Sequence, residues 1–88
     1  QTRLRLAVAS CQHYEHGFFA AYRDMAEQEL DLVLHVGDYI YESSWGKGKV
    51  REHHGSEPYT LADYRNRYAQ YRTDLQLQAA HAACPWLV

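Results

Sequence analysis

Leu32-Val33-Leu34-His35-Val36 runs directly into Gly37-Asp38-Tyr39-Ile40-Tyr41-Glu42. A short, dense run of branched apolar residues broken by glycine and aspartate reads as a strand buried in a sheet and then leaving it. Upstream, Arg3-Leu4-Arg5-Leu6-Ala7-Val8-Ala9-Ser10 passes from alternation into a small apolar run, which predicts an earlier strand ending at Cys11. Between the two, from Gly17 to Leu30, the residues Phe18, Tyr22, Met25, Ala26 and Leu30 recur at three- and four-residue steps, with Arg23, Asp24, Glu27 and Gln28 on the other face. That spacing predicts an amphipathic helix. Strand, helix and strand in close succession form a βαβ unit with two parallel strands and a right-handed crossover. Both strands then end at one edge of the sheet, where open α/β folds bind their ligands. Cys11 and Asp38 stand at that edge.

Downstream, residues 42–59 contain Gly46, Gly48, Gly55 and Pro58, paired histidines and several charges without helical or strand period. A connection of that length is expected to be a lid, a binding loop or disordered. Thr60-Leu61-Ala62-Asp63 has the spacing of a capping box, and Leu61, Tyr64, Tyr68 and Tyr71 mark one face of the helix that follows. Thr73-Asp74-Leu75-Gln76 repeats the capping logic before a further helix through Leu77, Ala80 and His81, stopped by Pro85. Trp86-Leu87-Val88 reads as the start of another strand. The expected fold is α/β, a βαβ start with two further helices, incomplete as a domain; the strand-like runs near both ends suggest a fragment.

Eighty-eight residues allow one compact domain at most. The charged share of 23% and net charge of −2 argue against a disordered acidic tail and against a generally basic nucleic-acid binder. The charge is uneven: residues 1–42 carry three basic and seven acidic side chains, residues 43–88 six basic and four acidic. If the halves face each other across a cleft, the first could hold cations and the second attract an anion. Apolar stretches are too short to span a bilayer. Cys11 and Cys84 could form one disulfide, but they are not a disulfide framework.

Cys11, Asp38 and Tyr41 carry the most chemistry: a thiol, a carboxyl and a phenol converging on one sheet edge. Taken singly, Asp38 fits an ordinary turn residue and Tyr41 ordinary core packing. Taken together, three acidic donors need a cation, since without one their charged forms repel and they stay protonated. Hard oxygen donors with one sulfur point away from a closed structural zinc site. His13, His16, His81 and Cys84 lack the paired spacing of zinc ligands and are expected to be packing or surface residues. His53 and His54, beside Lys47, Lys49 and Arg51, could meet a substrate anion or simply be solvated. Arg65, Arg67 and Arg72 are expected in surface salt bridges. A second reading makes the chain a non-catalytic α/β interaction module whose 42–59 loop binds an anionic partner.

With these residues in view, the chain resembles the PhoD-like alkaline phosphatase/phosphodiesterase family of the metallophosphoesterases. Ser10-Cys11-Gln12 followed by Gly17-Phe18 resembles its first motif, and His35 to Glu42 its H-x-G-D-Y-I-Y-E signature. Thr60-Leu61, Asp63-Tyr64-Arg65 and Arg67-Tyr68 resemble its T-L-x-D-Y-R-x-R-Y run, and Leu77, His81-Ala82 and Pro85-Trp86 complete the match. The resemblance implies that residues 1–88 are an N-terminal fragment of a PhoD-like catalytic domain, with a metallophosphoesterase-type sheet. It implies that Cys11 and Tyr41 are ligands of a ferric ion (Fe3+) and that Asp38, catalytic as well, bridges the iron to calcium (Ca2+). It implies hydrolysis of phosphate mono- or diesters, with the metals binding the substrate phosphate, and a periplasmic or secreted full-length protein, though no export signal stands in this chain. The family continues past its Pro-Trp segment into a D-D-H-E motif and further ligands, so the isolated fragment is expected to be inactive. Cys84 has no role in the pattern.

Overall fold

The computed structural model describes residues 3–88. Strand β1 (Leu6–Ala9) and strand β2 (Leu32–His35) pair in parallel, Leu6 opposite Leu32 and Ala9 opposite His35. The pairing is pinned at its start by Asp31, whose N–H donates to the Arg5 carbonyl at 2.8 Å while its carboxylate accepts the Arg5 N–H at 2.8 Å. Strand β3 (Trp86–Leu87) joins the far side of β2, also parallel, so the sheet order is β1-β2-β3.

Helix α1 (Ala20–Ala26) makes the crossover between β1 and β2 and is shorter than the periodicity from Gly17 to Leu30 predicts. Residues 14–16 form a separate 3₁₀ turn, Phe19 starts α1 without a side-chain cap, and beyond Ala26 the chain turns through Glu29 at φ 53°. Apolar spacing therefore outlasts the helix: Phe18 stands exposed before its first turn and Leu30 beyond its last. Helix α2 (Leu61–Tyr71) carries the expected capping box in full, Thr60 Oγ1 accepting the Asp63 N–H and the Asp63 carboxylate accepting the Thr60 N–H, both at 3.1 Å. Helix α3 (Leu75–Ala83) is capped by Asp74, whose carboxylate accepts the Gln76 and Leu77 N–H groups at 2.9 Å. Thr73 instead turns its hydroxyl back to the Gln70 carbonyl. Among the described residues no helix is long and apolar enough to cross a membrane.

α1 and α3 pack against each other, and the core they share is Phe19, Tyr22, Tyr39, Ile40, Tyr71, Leu77 and Ala80. Its tyrosines bury rings and still need partners for their hydroxyls, which shapes the site described below. Val33 and His35 are buried on β2, whereas Leu6, Val8 and Leu87 are left exposed. In register, Leu6 and Val8 lie beside Leu32 and Leu34, and Leu34 beside Leu87, so one sheet face is an uncovered apolar surface.

Trp86 fastens β3 to α3. Its indole N–H donates to the Ala80 carbonyl at 3.1 Å and its ring stacks on His81 at 3.9 Å, while His81 Nε2 meets the Tyr39 hydroxyl at 2.8 Å. Burial, with the Arg72 and His35 charges adding to it, pushes His81 from 6.5 down to about 4. Its folded value lies below its unfolded one, so the unfolded chain takes up the proton first and protonation favours unfolding. The His81 contribution is complete above about pH 6.5 and is lost as pH falls toward about 4. In the full-length protein a histidine NMR titration should find His81 still neutral at about pH 5; a midpoint at its ordinary value would contradict the buried stack.

Candidate active site

Hydrogen bonding between the β1 and β2 segments continues past the strands. The Val36 N–H donates to the Ala9 carbonyl, the Cys11 N–H to the Gly37 carbonyl, each at 3.0 Å, and the Gln12 N–H to the Asp38 carbonyl at 3.1 Å. The loop after β1 therefore runs beside the loop after β2, residue against residue. This paired run departs from strand geometry at three places: Gly37 sits at φ 138°, Cys11 at φ 56° and Asp38 at φ 57°. Gly37 occupies a region that only glycine enters freely, and the other two are left-handed despite carrying side chains.

These turns bring Cys11 and Asp38 together at the exposed rim, Cys11 Sγ lying 3.6 Å from Asp38 Oδ2. The Tyr41 phenol is near enough to feel both: burial first, then interaction with the Cys11 thiol and the Asp38 charge, push it up to about 12. Of the three side chains singled out in the sequence, Cys11 and Asp38 are in contact and the Tyr41 phenol stands within their electrostatic reach. Among the described residues no group of three or more His, Cys, Asp or Glu side chains stands close enough to hold a metal ion.

The site has an aromatic wall and a hydrogen-bonded floor. The His13 ring stacks between His16 at 4.1 Å and Tyr41 at 4.7 Å, with the Trp45 edge at 4.4 Å. Burial, and then the His16 charge, lower its pKa. Beneath, Gln12 donates to the Tyr39 carbonyl at 2.8 Å and accepts the Tyr22 hydroxyl, tying α1 to both loops.

Several residues sit where sequence reasoning does not place them. Arg67 is buried and not in a surface salt bridge: it donates to the carbonyls of Tyr41 and Glu42 at 2.7 Å and Ser56 at 3.1 Å. His53 is turned inward, its Nε2 3.0 Å from the Tyr71 hydroxyl, and burial pushes it down to about 4. Arg51 pairs with Asp74 at 2.8 Å and lies over the Tyr14 ring, and Lys49 reaches buried Glu15 at 3.7 Å. Gln70 receives the His54 N–H and donates to the Glu52 carbonyl, both at 2.9 Å. The 42–59 loop is therefore ordered by side chains reaching into it, and much of its charge is spent inside the fold. The capping box of α2 was a local signal; buried Arg67 and Gln70 had none, because their partners are backbone groups distant in sequence. Cys11 and Cys84 are both free thiols.

Residues 6–88 match the family model described as PhoD-like phosphatase. The chain is 55% identical over 91 residues to alkaline phosphatase D of Bacillus subtilis (strain 168), an alignment that takes in 98% of this chain and 16% of that protein. A solved structure described as "Structure of PhoD" matches with a TM-score of 0.91 and 56% identity, covering 97% of this chain and 17% of that one. The chain spans about a sixth of the length of these relatives.

The left-handed residues at the rim reverse the usual order of substitution. At Cys11 or Asp38 the glycine variant should be more stable than the alanine variant by about 1 kcal/mol, because alanine retains the steric cost and glycine does not. Both variants lack the donor atom, so urea unfolding of the two full-length proteins isolates the backbone effect. Equal midpoints, or a more stable alanine variant, would show that the rim is unstrained.

Proposed function

The chain belongs to the PhoD-like phosphatase family, and from that premise we propose that it is the N-terminal part of the catalytic domain of an exported, metal-dependent phosphoesterase. Its substrate class is a phosphate mono- or diester. The observation that carries this reading is the contact of Cys11 Sγ with the Asp38 carboxylate, with the Tyr41 phenol within their electrostatic reach, outside the carboxyl ends of two parallel strands.

The donor set suits a hard, highly charged cation with one softer ligand. Cys11 and Tyr41 would hold ferric iron, and Asp38, with two carboxylate oxygens, would be shared between iron and calcium. When bound, these ions supply positive charge that holds the substrate phosphate and stabilises the negative charge developing on it.

The protein's part is to hold these side chains near one another. The paired backbones of the two loops fix the Cys11 to Asp38 separation, and the Gly37 turn lets the Asp38 side chain reach the rim. The His13 ring covers one side of Tyr41 and shields it from water. Tyr41 must give up a proton that its surroundings hold tightly, so loading the site releases protons and is favoured as pH rises.

In the full-length enzyme, Asp38→Ala should lower phosphodiester turnover on the order of 10²–10³-fold and reduce the iron and calcium found by elemental analysis. Chelation should abolish turnover and readdition of the metals restore it. Unchanged turnover in the variant, or full activity after thorough demetallation, would overturn the reading.

A further inference from the structure

One face of α2 grips Tyr41 by both of its backbone polar groups. The Tyr71 hydroxyl oxygen accepts the Tyr41 N–H at 3.1 Å, and one helical turn earlier Arg67 Nη1 donates to the Tyr41 carbonyl at 2.7 Å. Residues four apart on a helix lie on the same side, so the grip follows from α2 alone. The same Tyr71 oxygen also accepts the Tyr14 N–H at 3.2 Å. A single buried oxygen thereby joins the loop that carries Cys11 to the loop that carries Asp38 and Tyr41.

The Tyr71 hydroxyl has no spare capacity. A phenol accepts through its oxygen and has one hydrogen to give; with two amides donating to it, the hydrogen goes to His53 Nε2 at 3.0 Å. Tyr71 is wholly buried, with its ring near those of Tyr14 and Phe19. Displacing it would strand two amide donors and an imidazole acceptor in the interior, each a substantial penalty.

We propose that Arg67 and Tyr71 are positioning residues for Tyr41: from α2 they fix its backbone so that its phenol meets Cys11 and Asp38. The proposal rests on the reading of Tyr41 as a metal ligand given above. Both residues act through the Tyr41 backbone and not through its phenol. Their effect is on how long the site keeps its ions, as expected for groups that orient a ligand.

The test uses the full-length, metal-loaded protein with Tyr71→Phe, which removes one oxygen and keeps the ring, and Arg67→Lys, which keeps the charge and loses the fork. Metal release into excess chelator should speed up about tenfold or more in each. Amide exchange should quicken at Tyr41 in both, and at Tyr14 in Tyr71→Phe, while β1 and β2 exchange at the wild-type rate. Tyr41→Phe separates the two layers of the claim. If it releases metal no faster than wild type, the ligand reading falls and this proposal with it. If it releases metal rapidly while Tyr71→Phe and Arg67→Lys release at the wild-type rate with only a lower Tm, the two residues serve the fold alone and the proposal is overturned. Should Tyr71→Phe fail to fold, Arg67→Lys and the wild-type amides decide: Tyr14 and Tyr41 N–H groups exchanging as fast as exposed loop amides would also overturn it.

Discussion

Parallel pairing that does not stop where the strands stop is the constraint behind the rest of this structure. Beyond Ala9 and His35 the two backbones still exchange hydrogen bonds, and Cys11 and Asp38 are brought together by that continued pairing. The cost is paid in backbone conformation: two residues with side chains are held left-handed where glycine would be at ease. A chain under no functional demand has little reason to keep such residues at neighbouring turns. Strain of this kind persists only where surrounding contacts over-determine it, and here the Gln12 side chain and the Tyr71 hydroxyl do so.

Much of the architecture was legible because its causes are local. The break at Gly37-Asp38 ends β2, Thr60 and Asp63 close a reciprocal cap, and Pro85 stops α3 before a third strand. The parallel pairing of β1 and β2 followed from the βαβ rule once the strands were placed. The nearness of Cys11 and Asp38 was legible for the same reason, since strand ends at one edge bring their next residues together.

What was not legible depends on distant partners. An arginine in a helix with other arginines looks solvated, and nothing near Arg67 in sequence announces that the carbonyls of Tyr41, Glu42 and Ser56 will surround it. The 42–59 segment lacks period because its order is borrowed from Glu15, Gln70 and Arg67. The uneven charge has a similar answer in part: Lys49 faces Glu15 and Arg51 faces Asp74, so cations of the second half neutralise buried acids in both halves and not only a facing cleft. The bounds of α1 eluded periodicity because Phe18 and Leu30 keep helical spacing while lying outside its turns.

The bare side of the sheet, with Leu6, Val8 and Leu87 facing outward, is a liability in water. Parallel sheets are ordinarily covered on both sides. An apolar patch of this kind stays sticky until another surface lies against it, and it invites clumping in any partly assembled state.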